Sequence, residues 1–206
     1  MKNRMITQSP PFQPQEILIA CAFHAEMKIL KKHLEVPCRT LISGVGIENS
    51  ARGTLHGLKQ ERPRVLIFTG TSGAVDKTVT IGEVIFPKHW CFKGGQCYGQ
   101  SISVLDYLKD FGYHPRGMGL TVDQPILTCH DRAQLGRKTG ALVCDMESAS
   151  VLSIAAMTRV PAIALKVVAD RAESNISDYK KSFAANMHRL AEYLNNLMKV
   201  LADPSS

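Results

Sequence analysis

A single-domain α/β fold with a mixed or largely parallel sheet is the class that this sequence predicts, on three observations. Short apolar runs of strand length alternate along the chain with segments whose apolar residues recur every three or four positions. No internal repeat or linker interrupts that alternation. The length, 206 residues with 45% hydrophobic and 21% charged, suits one core able to bury about 70% of the unfolded surface.

The elements follow in order. Residues 1–15 are polar and hold Pro10, Pro11 and Pro14, so they read as a loose tail before a domain over 16–206. Glu16 to Ala22 (EILIACA) is a short buried strand, and Phe23 to Leu34 is a helix with Met27, Leu30 and Leu34 on one face. Arg39 to Ser43 is a second strand that ends at Gly44-Val45-Gly46, and Ile47 to Leu58 is a helix. Pro63 punctuates before the strand Arg64 to Thr69 (RVLIFT), which runs into Gly70-Thr71-Ser72-Gly73. Glu83 to Pro87 is strand-like, and between Lys93 and Gly119 only Val104 to Phe111 has a helical pattern. Leu120 to Val122 and Ala141 to Cys144 read as strands, Met146 to Met157 as a helix, and Ala162 to Ala169 (AIALKVVA) as one strand. Tyr179 to Leu201 closes the chain as a long helix, with Phe183, Met187, Leu190, Leu194, Leu197 and Leu201 as its apolar stripe.

Composition narrows the function. No apolar run approaches the roughly 20 residues of a membrane span, and no signal peptide is evident, so a cytoplasmic protein is expected. Twenty-five basic against 18 acidic residues give a net charge of +7. The basic residues fall in scattered pairs such as Lys31-Lys32, with no aromatic interleaving, so a nucleic-acid partner is not expected. The six cysteines form no C-x-x-C pair. Cys21 and Cys144 sit in apolar runs, and His89, Cys91 and Cys97 lack a fourth ligand at a zinc spacing. Neither metal nor cofactor is expected.

In an α/β sheet ligands bind beyond the carboxyl ends of the strands, which selects the polar residues that follow each apolar run. Glu26 lies in the first turn of a helix after the first strand, where the helix dipole alone would favour it. Thr69 to Ala74 offers amides, hydroxyls and glycines that could hold an anion, or could simply turn the chain. Asp145 and Glu147 open a helix, either as N-cap and first-turn acid or as ligands. Asp170 ends the most apolar strand, as a cap or as a proton donor.

Taken together and in this order, these segments resemble the purine and uridine phosphorylase superfamily, which includes the methylthioadenosine/S-adenosylhomocysteine nucleosidases. Val143 to Ser150 (VCDMESAS) resembles the family's V-x-M-E-x-A segment, and Ala22 to Glu26 its segment after the first strand. Ser43 to Gly46 is similar to its S-G-[IV]-G turn. Thr69 to Ala74 with Thr80 to Val84 resembles its T-G-S-A-G-G…[IV]-G-D-[IV] block, and Val168 to Asp170 its [IV]-S-D strand end. The resemblance spans about residues 16–200. TGALVCDMESAS and VVAD are also similar to the hopanoid-associated phosphorylase branch.

The resemblance implies a three-layer fold with a central mixed sheet flanked by helices, and cleavage of the N-glycosidic bond of a purine, adenine-type nucleoside. That bond breaks through an oxocarbenium-like state, with the base leaving as an anion. Asp170 matches the residue that protonates the purine N7, and Glu26 the base that activates water. Glu147 matches the acceptor of the ribose hydroxyls, and Met146 matches the family residue that packs on the sugar. Thr71, Ser72, Gly73 and Thr128 fall at substrate-contacting positions. Family phosphorylases place arginines after the first strand and before the glycine turn. Here Phe23 to Lys28 has no Arg, and Phe68 precedes Thr69-Gly70. Hydrolysis is therefore favoured over phosphorolysis, with phosphate the alternative co-substrate and an inactive nucleoside-binding relative a third reading. Ala169 stands where many relatives carry a serine. A homodimer or higher homo-oligomer is also implied, since relatives complete each pocket with a neighbour's residues.

Overall fold

A computed structural model describes residues 10–170 and 176–202. Strand β1 (Ile17–Cys21) leads through α1 (His24–His33) to β2 (Arg39–Ile42), then α2 (Ile47–Glu61) to β3 (Val65–Phe68). Next come β4 (Thr71–Ala74), β5 (Val84–Ile85), β6 (His89–Phe92) and β7 (Cys97–Gly99). The chain continues with α3 (Ile102–Lys109), β8 (Met118–Thr121), α4 (Cys129–Thr139), β9 (Val143–Asp145) and α5 (Ser148–Thr158). It ends with β10 (Ala162–Ala164), β11 (Lys166–Asp170) and α6 (Ile176–Ala202).

The strands form a parallel four-stranded sheet, β10-β3-β1-β2, and a mixed seven-stranded one, β5-β11-β4-β9-β8-β6-β7. Two segments run through both. The chain leaves β3 and enters β4 across Thr69-Gly70, and leaves β10 and enters β11 across Leu165. Leu165 N–H still donates to the Phe68 carbonyl, and Val167 N–H to that of Gly70. The sheet is thus bent rather than cut. The single strand expected over 162–169 divides at this bend, which periodicity in a run apolar on both faces could not show.

Alternation along the strands creates the layers. Ile17, Ile19, Val65, Ile67 and Ile163 face one cluster with α6, which contributes Met187, Leu190, Leu194, Leu197 and Leu201. Leu18, Ala20, Leu66, Phe68, Ala162 and Ala164 face the opposite cluster, with Val151, Leu152 and Ala155 of α5 and Leu58 of α2. A period of two in the strands and of three to four in the helices gives helix, sheet, helix. The apolar stripe expected on the closing helix is therefore the one that is buried.

Four expectations are corrected. Thr71–Ala74 is a strand rather than only a turn. Met146 and Glu147 precede α5 instead of opening it, because the Asp145 carboxylate accepts from the amides of Glu147 and Ser148 and fixes the start there. Helix α4 was missed because CHDRAQLGRKT buries no broad apolar face. The loose tail expected over residues 1–15 does not hold from Phe12 onward: Phe12 is fully buried, its amide donates to the Leu201 carbonyl, and Pro14–Glu16 forms a 3₁₀ turn. Residues 1–9 of that expected tail lie outside the described residues. Among the described residues no helix is long and apolar enough to cross a membrane.

Candidate active site

A cavity of about 440 Å³ opens beyond the ends of β1, β4, β9 and β11. It is within the size of a small-molecule site. Glu26, Thr71, Ser72, Gly73, Met146, Glu147 and Asp170, seven of the residues singled out from the sequence, line it together.

The bend builds its floor. Glu26, in the first turn of α1, is buried, and its Oε1 accepts from Thr71 N–H (2.8 Å) and Thr71 Oγ1 (3.0 Å). Gly70 lies against this carboxylate: a Cβ there would stand 2.7 Å from Oε1 and 2.9 Å from Oε2, at a φ of +136°. Only glycine meets both demands. Glu26 Oε2 and Ser72 Oγ are buried without a hydrogen-bond partner among the described residues. Burial raises the Glu26 pKa, against a lowering influence from Lys166 and the Thr71 hydrogen bonds.

Glu147 stands just outside α5, where its Oε1 accepts from Gly46 N–H at 2.8 Å. Gly46 and Gly44 both have positive φ, +84° and +98°, so the S-G-V-G turn presents that amide through a backbone that other residues rarely adopt. Burial pushes the Glu147 carboxyl up to about 7; Lys166 opposes this and Asp145 adds to it. Asp145 lines the cavity as well and holds the start of α5 through the amides of Glu147 and Ser148. It also accepts from Ser148 Oγ (2.5 Å) and Thr121 Oγ1 (2.8 Å).

Lys166 was missed. It is fully buried, with Nζ 3.2 Å from Asp145 Oδ2 and 4.1 Å from the centre of the Phe68 ring. Burial disfavours its charge, yet Asp145, Glu147 and Glu26 together carry its pKa above the ordinary value. One cation thus serves three buried carboxylates. The available signal was the lone charge inside AIALKVVA.

Asp170 ends β11 beside Gly73, where a bulge shifts the β11–β4 register. Its Oδ2 receives a 2.8 Å ion pair from Arg132 of α4, whose Nε also donates to the Ile126 carbonyl at 2.7 Å. A Cβ on Gly73 would come within 2.8 Å of Asp170 Oδ1 and 3.3 Å of the guanidinium. Arg132 was invisible to sequence reading because its helix was. Thr128 is not brought into this cavity. It is exposed, N-caps α4 by accepting from Asp131 N–H, and lines a neighbouring cleft, while Leu127 and Ile126 take its place at the rim.

Fold and site define a class of protein: a three-layer α/β enzyme-like scaffold with paired carboxylates at the strand ends. The chain matches the phosphorylase superfamily over residues 11–115 and 107–201 and belongs to that family. Among its relatives is the 5'-methylthioadenosine/S-adenosylhomocysteine nucleosidase of Buchnera aphidicola subsp. Schizaphis graminum. That protein is 20% identical over 189 residues, 81% of this chain and 80% of the relative. Among solved structures, the Helicobacter pylori 5'-methylthioadenosine/S-adenosylhomocysteine nucleosidase with butyl-thio-DADMe-Immucillin-A superposes with a TM-score of 0.79. Identity is 16%, over 91% of this chain and 99% of that one. Futalosine hydrolase of the same organism gives 0.78 at 16% identity, over 93% and 98%.

Proposed function

We propose that this protein hydrolyses the N-glycosidic bond of a purine nucleoside. The observation that carries the reading is Glu26: a buried carboxylate on the cavity wall, its pKa raised, with one oxygen tied to Thr71 and the other without a partner. Such a group is suited to take a proton from water as the water oxygen attacks C1′ of the sugar. Asp170 takes the part of the donor to N7 of the departing purine that the resemblance assigns to it, a step in which its Oδ2 leaves Arg132 and carries a proton instead, and free base and ribose leave. Glu147 accepts from the ribose hydroxyls, Met146 packs on the sugar, and Thr71, Ser72 and Gly73 form the wall beneath. The relatives named as nucleosidases support an adenine-type base. Apolar rim residues Phe23, Val45 and Leu127 favour an apolar 5′-substituent.

Phosphorolysis needs a cation for the phosphate beside Glu26. Arg132, the one cation that lines the cavity among the described residues, is instead held by Asp170 and Ile126. Base release from an adenine nucleoside is therefore expected in phosphate-free buffer, followed by chromatography, with no gain on adding millimolar phosphate. Turnover only with phosphate, with ribose 1-phosphate accumulating, overturns hydrolysis.

The family resemblance supports a homodimer, whose second copy would cover the exposed Val45 and Leu127 at the rim. Light scattering is expected to give about twice the 22.7 kDa chain mass; a monomer under assay conditions refutes it. The cytoplasm is the expected compartment.

A further inference from the structure

At the far edge of the seven-stranded sheet, outside the cavity, the β6–β7 hairpin brings together side chains that the purine chemistry does not use. Cys91 and Cys97 are directly opposed, with Cα atoms 3.9 Å apart, and the structure joins them as a disulfide. Phe92 N–H donates to the Gln96 carbonyl, so 92 and 96 are the hydrogen-bonded pair and 91 and 97 the adjacent non-hydrogen-bonded one. There cross-strand side chains come closest. His89 lies two residues before Cys91 and so on the same face. Its ring nitrogen and the two sulfurs all lie within 4.8 Å of one another.

The fourth group, absent from the sequence spacing, comes from a third strand. Strand β8 runs parallel to β6 with Met118 paired to His89, and the Met118 thioether sulfur lies 3.3 Å from Cys91 Sγ. A tetrahedral metal with bonds of about 2.3 Å to sulfur separates its ligand atoms by roughly 3.8 Å. The His89 nitrogen and the two sulfurs therefore lie within reach of one ion, and Met118 Sδ, in contact with Cys91 Sγ, stands beside them as the fourth donor. Cys91 is buried, His89 half-buried and Cys97 exposed on the edge strand, which leaves an approach from solvent.

We propose that, with the disulfide reduced, His89, Cys91, Cys97 and Met118 form a binding site for a soft monovalent cation, copper(I). A thioether beside two thiolates is a soft donor set, and thiolate and thioether ligands select Cu(I). The reduced state rests on the compartment proposed above: a cytoplasmic thiol pool keeps cysteines reduced and would hold the pair as the dithiol. Two equivalents of a thiol reductant open the bridge: two electrons enter the S–S bond, two thiols form, and the reductant leaves as its own disulfide. Copper(I) then displaces the two thiol protons and gains two sulfur ligands with no change in its own oxidation state.

The test uses the full chain, reduced with dithiothreitol and freed of it under nitrogen. Copper(I) is titrated against a chromophoric bicinchoninate competitor, and zinc(II) against a chromophoric chelator in a parallel arm. One copper(I) per chain is expected for reduced protein, none for air-oxidised protein, and weaker retention of zinc(II). Cys97→Ser removes the equivalent. Met118→Leu weakens copper(I) at least about tenfold, the lower end of what a supporting group at a metal contributes, and leaves zinc(II) unchanged. Cys97 is exposed, so its variant should fold; circular dichroism checks this, and His89→Ala supplies an independent readout. Equal binding by oxidised protein, a full equivalent retained by Cys97→Ser, copper(I) affinity unchanged in both Met118→Leu and His89→Ala, or zinc(II) held more tightly than copper(I) overturns the proposal.

Discussion

Asp170 carries the sharpest residue-scale consequence, because its two readings predict opposite outcomes. Asp170→Asn keeps the shape and cannot deliver a proton. General acid catalysis contributes about 10²–10⁴ in rate, so kcat should fall at least about a hundredfold. Melting temperature and kcat measured on one preparation separate this from a structural role, which would lower the melting temperature and leave kcat nearly intact. Retention of more than about a tenth of wild-type kcat refutes the donor. The ribose contact proposed for Glu147 carries a pH dependence. Its carboxyl is pushed up to about 7 by burial, and the ionised form is the better acceptor for ribose hydroxyls. KM should therefore fall as pH rises through about 7, and Glu147→Gln should flatten that step. Stability runs the other way. The folded pKa exceeds the ordinary 4.5, so the native state binds the extra proton between those values and loses that stabilisation as pH climbs from about 5 to 7. A wild-type KM independent of pH over 6–8 contradicts this role. Glu26, Glu147 and Asp170 were legible because acids placed just after apolar runs are few. Lys166 and Arg132 were not, since one is hidden in a strand pattern and the other sits on a helix without an apolar stripe.

At the scale of the element, the long closing helix shows how periodicity becomes stability. Leu194 is fully buried between its neighbours on α6 and the strands of the first core cluster. Leu194→Ala should cost about 2–5 kcal/mol, the transfer term plus the cavity left behind. Denaturant titration reads that loss, and a cost near zero would mean the helix does not pack as described. The central strands and the helices over 24–33, 47–61 and 176–202 were legible because each has one dominant period. Strands β6 and β7 and helix α4 were not. The strands are short and centred on residues such as His89, Cys91 and Cys97, and their pairing is set by the turn at 93–96. The break at Leu165 escaped for another reason: an apolar run says that a strand is buried, not which neighbour it leaves.

For the whole molecule, the layer order followed from alternation alone, whereas the bend that creates the cavity depends on Gly70 and on contacts about 100 residues away in sequence, such as Val167 N–H on the Gly70 carbonyl. No local pattern encodes such a pairing. A different long-range contact has a consequence of its own. Phe12 is buried against the last turn of α6, with its amide on the Leu201 carbonyl, so the described chain returns almost to where it starts. Topologically the domain is close to a ring. A short peptide joining the two ends, with a fresh opening at the exposed Gly112, would leave every strand pairing in place. The order in which the elements are synthesised is then separable from the order in which they sit in space, and the pocket belongs to the second.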